Sequence, residues 1–193
     1  NWLSQTSNTT QELSGCFMVD SDIAYAAGFN GTILKTSNGG QQWVQQVSGT
    51  TSDLRSVSFF DNNIGYVVGY DGMILKTTNG GSTWSQQTSG TTNNLFAVCF
   101  TSAEIGTAVG TSKILRTTDS GETWITQSIA FTGDLYDVDF RDTQLGWTVG
   151  QQGKIFFTNT PVNVSNEQYN PMATFALEKN YPNPFNPTTN IRF

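Results

Sequence analysis

The sequence predicts an all-β fold, a β-propeller of four four-stranded blades, from its repeats, its composition and its turns. Three residue types each recur every 40 or 41 positions. They are Leu13, Leu54, Leu95 and Leu135; Gly28, Gly69, Gly110 and Gly150; and Trp2, Trp43, Trp84 and Trp124. Charged residues make up only 12% of the chain, whereas Gly, Ser, Thr and Asn are abundant, which is typical of strands and turns. A repeat of this length is the signature of a propeller blade.

Each repeat divides into short strands, most clearly in the second copy. Residues 54–59 alternate like a half-buried strand, and residues 65–69, 73–77 and 84–87 follow as three more strands. Asn30-Gly31 and Asp71-Gly72 separate the second strand from the third and suit a tight hairpin. The repeats are predicted near residues 12–52, 53–93, 94–133 and 134–160.

The two ends of the repeat region are unequal. The fourth copy has no tryptophan strand after it, but the segment that begins at Trp2 matches that strand. We therefore expect residues 1–11 to complete the last blade, so that Trp2 closes the ring and residues 1–160 form one propeller. In the alternative, the Trp2 strand completes a blade of a neighbouring molecule.

Three hairpins resemble the Asp-box, a Ser/Thr-x-Asp-x-Gly-x-Thr-Trp turn of sialidase-type propellers. Their key residues are Asn38, Gly40 and Trp43; Asn79, Gly81 and Trp84; and Asp119, Gly121 and Trp124. With the surrounding Gly-Tyr-x-x-Gly and Ile-Leu-Lys-Thr segments, residues 1–158 are similar to photosystem II assembly and stability factor-like propeller repeats. That resemblance implies a structural role: the Asp or Asn side chain caps the turn, glycine supplies the unusual φ angle, and tryptophan packs beneath.

Catalysis is not expected. A sialidase resemblance implies an arginine triad, but Arg55, Arg116 and Arg141 occupy unlike positions in the repeat, and the chain contains no histidine. We predict no catalytic residue, no cofactor and no metal site. A net charge of −6 argues against nucleic acid, and no apolar run is long enough to span a membrane.

The C-terminal region carries a second motif, after a linker predicted at residues 161–176. Residues 177–193 resemble the start of the C-terminal sorting domain of bacterial type IX secretion. The core of the motif is Tyr181-Pro182-Asn183-Pro184-Phe185-Asn186-Pro187. The resemblance implies export to the outer cell surface or the medium. The tail is either loose or docked on its own propeller or on a neighbouring one.

Some polar positions also recur. Glu12, Asp53, Asn94 and Asp134 precede the first strand of each repeat and are either solvated loop ends or a crowded channel mouth that a cation could neutralise. Lys35, Lys76 and Arg116 are expected to form an exposed ladder. Cys16 and Cys99 fall in different slots of the repeat and predict two separate buried thiols.

These observations predict a secreted or cell-surface, non-enzymatic propeller, either an interaction module or a structural subunit of a filament, tube or surface layer. Its partner would be a protein, including further copies of the chain, or a glycan. The alternative is a carbohydrate-binding or glycosidase-like Asp-box propeller. A third hypothesis, an assembly chaperone for a membrane complex, is supported by fold analogy alone.

Overall fold

A computed structural model describes residues 1–159 of the chain. The linker at 161–176 and the tail motif at 177–193 lie outside the described residues. The first sheet, blade 1, contains β1 (Leu13–Met18), β2 (Ile23–Gly28), β3 (Thr32–Ser37) and β4 (Val44–Gln46). Blade 2 contains β5 (Leu54–Phe59), β6 (Gly65–Gly69), β7 (Ile74–Thr77) and β8 (Ser85–Gln86).

The second half of the chain repeats this pattern. Blade 3 contains β9 (Leu95–Phe100), β10 (Gly106–Gly110), β11 (Lys113–Thr117) and β12 (Ile125–Thr126). Blade 4 contains only three strands among the described residues, β13 (Leu135–Phe140), β14 (Gly146–Gly150) and β15 (Ile155–Thr158). All pairings inside the blades are antiparallel. The predicted all-β architecture is confirmed, and the only helical pieces described are two 3₁₀ turns at Tyr70–Gly72 and Gln151–Gly153.

Glycines at both ends of the second strand explain the Gly-Tyr-x-x-Gly pattern. A β-carbon at Gly65 would overlap the ring of Phe59 on the neighbouring strand. A β-carbon at Gly69 would overlap the carbonyl oxygen of Asp53, just before the same strand. The backbone of the second strand can approach the first this closely only without these side chains.

The core lies between the blades. Each blade has a back face, formed in blade 1 by Tyr25, Ala27 and Ile33, and a front face, formed in blade 2 by Leu54, Val57 and Phe59. The back face of each blade packs on the front face of the following blade. Residues at equivalent positions of the repeat form the same contact between blades 2 and 3 and between blades 3 and 4. The ring of Tyr25 stacks on that of Phe59 at 3.9 Å. Tyr66 stacks on Phe100 in the same way, at 3.7 Å.

The expected closure of the ring by Trp2 is wrong for this structure. The side chain of Trp2 is fully exposed, and residues 1–11 pair with no strand of blade 4. The reason is local, because Gln5 finds both of its partners on blade 1: its Nε2 donates to the Gly39 carbonyl at 3.5 Å and its Oε1 accepts from Trp43 Nε1 at 3.0 Å. The four blades therefore form an open arc.

Gly69→Ala is expected to lower the free energy of unfolding by about 2–3 kcal/mol, because the added methyl group must push the first and second strands of blade 2 apart. Urea unfolding followed by tryptophan fluorescence measures the change. Gly90→Ala is the matched control: Gly90 has a φ of 71° but no atom within 4 Å of its β-carbon position, so only about 1 kcal/mol is expected. Equal losses in the two variants would contradict the steric explanation.

Candidate functional site

The three Asp-box turns share one set of hydrogen bonds. In the first box, the Thr36 hydroxyl accepts from the Gly40 amide at 2.9 Å and the Asn38 Oδ1 accepts from the Gln42 amide at 3.0 Å. Asn79 and Asp119 accept from the amides of Thr83 and Thr123, each at 2.9 Å. These side chains replace solvent at turn amides that have no strand partner, and so hold the turn closed.

The third box carries a carboxylate where the others carry an amide. Burial alone would raise the pKa of Asp119, but hydrogen bonds from Thr123 and Thr117 together lower it below the ordinary value. Asp119 Oδ2 accepts from the Thr123 hydroxyl at 2.6 Å, and Asn79 makes the equivalent contact by donating from Nδ2 at 2.9 Å. The ionised carboxylate of Asp119 is therefore used inside the turn, and its lowered pKa leaves it without the proton that a general acid must carry.

The second and third boxes also join their blades to the preceding ones. The Gly80 carbonyl accepts from the Tyr25 hydroxyl at 2.9 Å and from Lys35 Nζ at 2.7 Å. The Ser120 carbonyl accepts in the same way from Tyr66, at 2.7 Å, and from Lys76, at 2.6 Å. The expectation of an exposed cationic ladder is therefore wrong, because these cations are partly buried donors between blades.

Arg116 completes this series in a different manner. Its guanidinium donates to the Thr143 carbonyl of blade 4 and to the Thr107 hydroxyl, and it lies 5.0 Å from the centre of the Phe140 ring. Arg55 lies between the rings of Phe29 and Tyr70, and Arg141 pairs with Asp142 at the surface. The three arginines have separate partners, so the described residues contain no arginine triad.

Three of the four recurring acidic and amide residues before the first strands act between blades. Asp53 accepts from the amide of Asn30, and Asn94 accepts from the amide of Asp71, in each case capping the hairpin turn of the preceding blade. Asp134 accepts from the hydroxyl of Thr111 at 2.7 Å. Among residues 1–159 no group of three His, Cys, Asp or Glu side chains could hold a metal ion.

The two cysteines are free thiols in different environments. Cys99 is partly buried against blade 4, and this burial raises the pKa of its thiol. Cys16 is exposed, so the expectation of two buried thiols is wrong for it. Val57 and Val138 occupy the equivalent position in blades 2 and 4, where the preceding blade buries them. Cys16 is exposed because no described residue covers the front face of blade 1.

A row of aromatic rings crosses the four blades, and we call it the aromatic row. Phe29 and Tyr70 directly follow the second strands β2 and β6, Phe96 and Tyr136 lie in the first strands β9 and β13, and Arg55 of β5 lies among them. Arg55 lies 5.7 Å from the ring centres of both Phe29 and Tyr70. Tyr70 meets Phe96 edge to face at 6.2 Å, and Phe96 lies 6.1 Å from Tyr136. The members range from half-buried to exposed, so the row is an accessible surface.

Arg55 gives this row its chemistry. Within the part of the chain that the structure describes, its guanidinium forms no ion pair and donates to no protein acceptor. The two flanking rings hold the cation by cation–π attraction while leaving its N–H groups free. A guanidinium in this setting suits a carboxylate, and the rings suit an apolar side chain beside it.

Sequence reasoning missed the aromatic row because aromatic residues were assigned to the core. A signal was present: Arg55, Phe96 and Tyr136 each follow the buried leucine of the first strand, on the face that the alternation predicts to be polar. Large apolar residues at such positions indicate a contact surface. Only the packing of successive first strands shows that they meet in one row.

Two shallow grooves lie at equivalent places in blades 1 and 2, with volumes of about 800 and 750 Å³. They are formed by the turn after the second strand and the loop after the fourth, at residues 45–51 and 86–93. No aromatic residue is among the described residues that line them, and Asp71 is the one carboxylate there. They lack the paired carboxylates of a glycosidase.

Comparison with known proteins supports the architecture. Residues 1–78 match the family model described as photosynthesis system II assembly factor YCF48. No curated protein matches the chain. The structure of YCF48 bound to D1 peptide is similar, with a TM-score of 0.65 and 24% identity over 86% of this chain and 55% of that one. The fold is that of a β-propeller.

Two further structures extend this likeness. An ancestral GH74 enzyme matches with a TM-score of 0.65 and 14% identity, over 82% of this chain and 26% of that one. The computationally designed Ika4 protein matches with a TM-score of 0.66 and 13% identity, over 80% of this chain and 98% of that one. The chain thus spans only about half the length of the YCF48 structure. No helix among the described residues is long and apolar enough to cross a membrane.

The tyrosine that joins blades 1 and 2 predicts loss of stability at high pH. Burial raises the pKa of Tyr25 from 10.0 to about 12. Above pH 10 the unfolded chain loses this proton while the folded chain keeps it, so the free energy of unfolding falls as the pH rises toward 12. Tyr25→Phe removes this contribution and is expected to show a smaller fall between pH 8 and 11 in thermal unfolding. Tyr136→Phe, at a half-exposed position, is expected to follow the wild type; identical profiles for all three proteins would contradict the assignment.

Proposed function

We propose that this chain is an exported, non-enzymatic propeller module that binds a protein partner on the aromatic row. The observation that supports this function is Arg55, an accessible guanidinium held between two rings with no acceptor of its own in the described chain. The partner we propose is an extended peptide segment that places a carboxylate beside an aromatic or aliphatic side chain. The carboxylate pairs with Arg55, and the apolar group lies against Phe96 and Tyr136.

Two observations favour a peptide over a small substrate. The row extends across all four blades, which suits a long ligand better than a compact one. The similar YCF48 structure is bound to D1 peptide, so a propeller with this kind of blade can hold a peptide. Its identity of 24% supports the fold alone, and the partner class therefore rests on the chemistry of the aromatic row.

A carbohydrate-binding or glycosidase-like propeller is the alternative function. The GH74 likeness favours it, but at 14% identity it concerns only the fold. The two described grooves offer no aromatic platform for a sugar and no pair of carboxylates. Negative results from a glycan array and a hydrolase screen would remove this alternative.

Arg55→Gln is expected to weaken binding to acidic peptides at least tenfold, because the carboxylate loses its charged partner. The probe is an array of synthetic 12-residue peptides in which one carboxylate is placed beside Phe, Leu or Ser. The wild type is expected to prefer carboxylate-Phe and carboxylate-Leu peptides over carboxylate-Ser, and its affinity is expected to fall as salt is raised.

Arg141→Gln is the matched control, since Arg141 is an exposed arginine paired with Asp142 outside the aromatic row. It removes the same charge and is expected to leave binding unchanged. Thermal unfolding of both variants checks that the fold is retained. Equal binding by wild type and Arg55→Gln, or no preference among the peptides, would contradict the proposed site.

Export through type IX secretion is proposed from the tail motif at residues 177–193. In a bacterium with that pathway, the chain with a leader is expected in the medium or at the cell surface, and a variant that lacks residues 177–193 is expected to stay in the periplasm. Immunoblotting of cell fractions measures this. Surface delivery of the shortened variant would show that export does not depend on the motif.

A further inference from the structure

The N-terminal segment already has the conformation of the loop that links two blades. Ser7 and Thr9 form the same side-chain and backbone hydrogen bonds as Ser48 and Thr50, and as Ser89 and Thr91. Asn8 has a φ of 58°, where the other loops have glycines at 76° and 71°. In those loops, the strand before is the fourth strand of one blade and the strand after is the first strand of the next.

The segment also contacts blade 1 as a preceding fourth strand would. Gln46, at the end of β4, approaches Gly81 in the box of blade 2, with its Oε1 3.6 Å from the β-carbon position. Gln5 occupies the same repeat slot and approaches Gly40 in the box of blade 1. Residues 2–5 therefore lie where the fourth strand of a blade before blade 1 belongs.

Blade 4 has no such strand within residues 1–159. In blades 1 and 2 the turn glycines Gly31 and Gly72 are covered by the loop that follows the fourth strand, through Thr50 and Thr91. The equivalent Gly153 has no atom of the described residues within 4 Å of its β-carbon position. In addition, Phe140 is only half-buried, whereas Phe59 and Phe100 are 4% and 8% exposed beneath the fourth-strand tryptophans of their own blades.

The two ends of the arc also expose the two halves of the interblade core. On the front face of blade 1, Leu13 and Met18 are 40% and 72% exposed, while their equivalents in blade 2 are buried. On the back face of blade 4, Trp147 and Ile155 are 49% and 66% exposed, while their equivalents in blade 2 are buried. The ends thus match each other in repeat register, but they do not meet within one chain.

We propose that a second copy of the chain supplies the missing contacts. The front face of blade 1 of each copy packs on the back face of blade 4 of the other, and residues 2–5 form the fourth strand of that blade. The register follows from the pairs that join the third and fourth strands in blades 1 to 3, which are Lys35–Val44, Lys76–Ser85 and Arg116–Ile125. Phe157 and Leu3 hold the same two positions of the repeat, so Leu3 of one copy pairs with Phe157 of the other. Two such junctions close a ring of eight blades, within the range known for propellers.

Two differences from the internal junctions fit this assignment. Blade 4 has Trp147 and Phe157, with ring centres 4.9 Å apart, where blade 2 has Tyr66 and Lys76. The equivalent acceptor on blade 1, the Gly39 carbonyl, accepts a hydrogen bond from Gln5 Nε2 of its own chain. Because two rings replace the tyrosine and lysine donors, the junction between copies is more apolar than the internal junctions, as expected for a stable interface between subunits.

The junction is tested by disulfide formation between two differently tagged chains. The background carries Cys16→Val and Cys99→Ser, which are the residues of blade 2 at the same slots. One chain carries Leu3→Cys and the other Phe157→Cys, and mild oxidation of the mixture is expected to give a covalent dimer that contains both tags. A first chain with Ile125→Cys instead, an exposed position in the same slot of blade 3, is expected to give none.

The mass of the wild-type chain of residues 1–193 tests the ring. Light scattering after gel filtration is expected to give twice the chain mass of 21.1 kDa. Trp147→Asp is expected to give monomers, and Ile125→Asp, which also adds a charge at an exposed apolar position, is expected to remain dimeric. Circular dichroism shows whether both variants keep their strands.

Three results would overturn the proposal. They are a monomeric wild type, open polymers in place of a dimer, and an intramolecular disulfide in a chain that carries both Leu3→Cys and Phe157→Cys. None of them bears on the aromatic row, because the peptide assay with Arg55→Gln reports on that site separately. A dimer that fails to bind peptide would contradict the proposed function and leave the junction supported.

Discussion

The packing of one blade's back face against the next blade's front face is the interaction on which this structure depends. A single four-stranded sheet cannot bury both of its faces, and burial of each leucine or phenylalanine contributes about 1.5–3 kcal/mol. Leu54, Leu95 and Leu135 are fully buried at these interfaces. The polar features of the repeat are arranged around them: tyrosine and lysine donate across the interface to a box carbonyl, and an acid or amide caps the turn of the preceding blade.

This use of polar residues defines what the molecule can do. Asp53 and Asp134 accept hydrogen bonds from the preceding blade, and Asp119 accepts inside its own turn. Arg116, Lys35 and Lys76 donate to carbonyl groups of the following blade. Arg55 is different, because the packing of blade 1 on blade 2 places it between the rings of Phe29 and Tyr70 with its donors unused in the described chain. A rigid body that keeps one such cation accessible in a row of rings is suited to binding.

The same interface leaves an exposed apolar face at each end of the arc. Among the described residues, packing continues from blade 1 to blade 4 and leaves Met18 exposed at one end and Ile155 at the other. Exposed apolar faces that carry the two halves of a repeated contact favour a further blade as their partner. The preformed turn at Ser7 and Thr9 places the N-terminal segment for that purpose, so assembly and blade completion are one event in the proposed dimer.

The sequence by itself determined the strands, the repeat and the blade. Their markers are local, because Gly65 and Gly69 reflect contacts with an adjacent strand and Asn38 caps its own turn. Tertiary structure alone decided which side chains meet across blades. The sequence predicts an exposed Lys35, but the packing of blades 1 and 2 brings its ammonium group to the Gly80 carbonyl. The aromatic row exists only because residues about 40 positions apart in the chain lie side by side in successive blades. Closure depends on the relative placement of whole blades, which no local pattern encodes. For that reason the sequence predicts a fourth strand at Trp2 but does not determine which blade it completes.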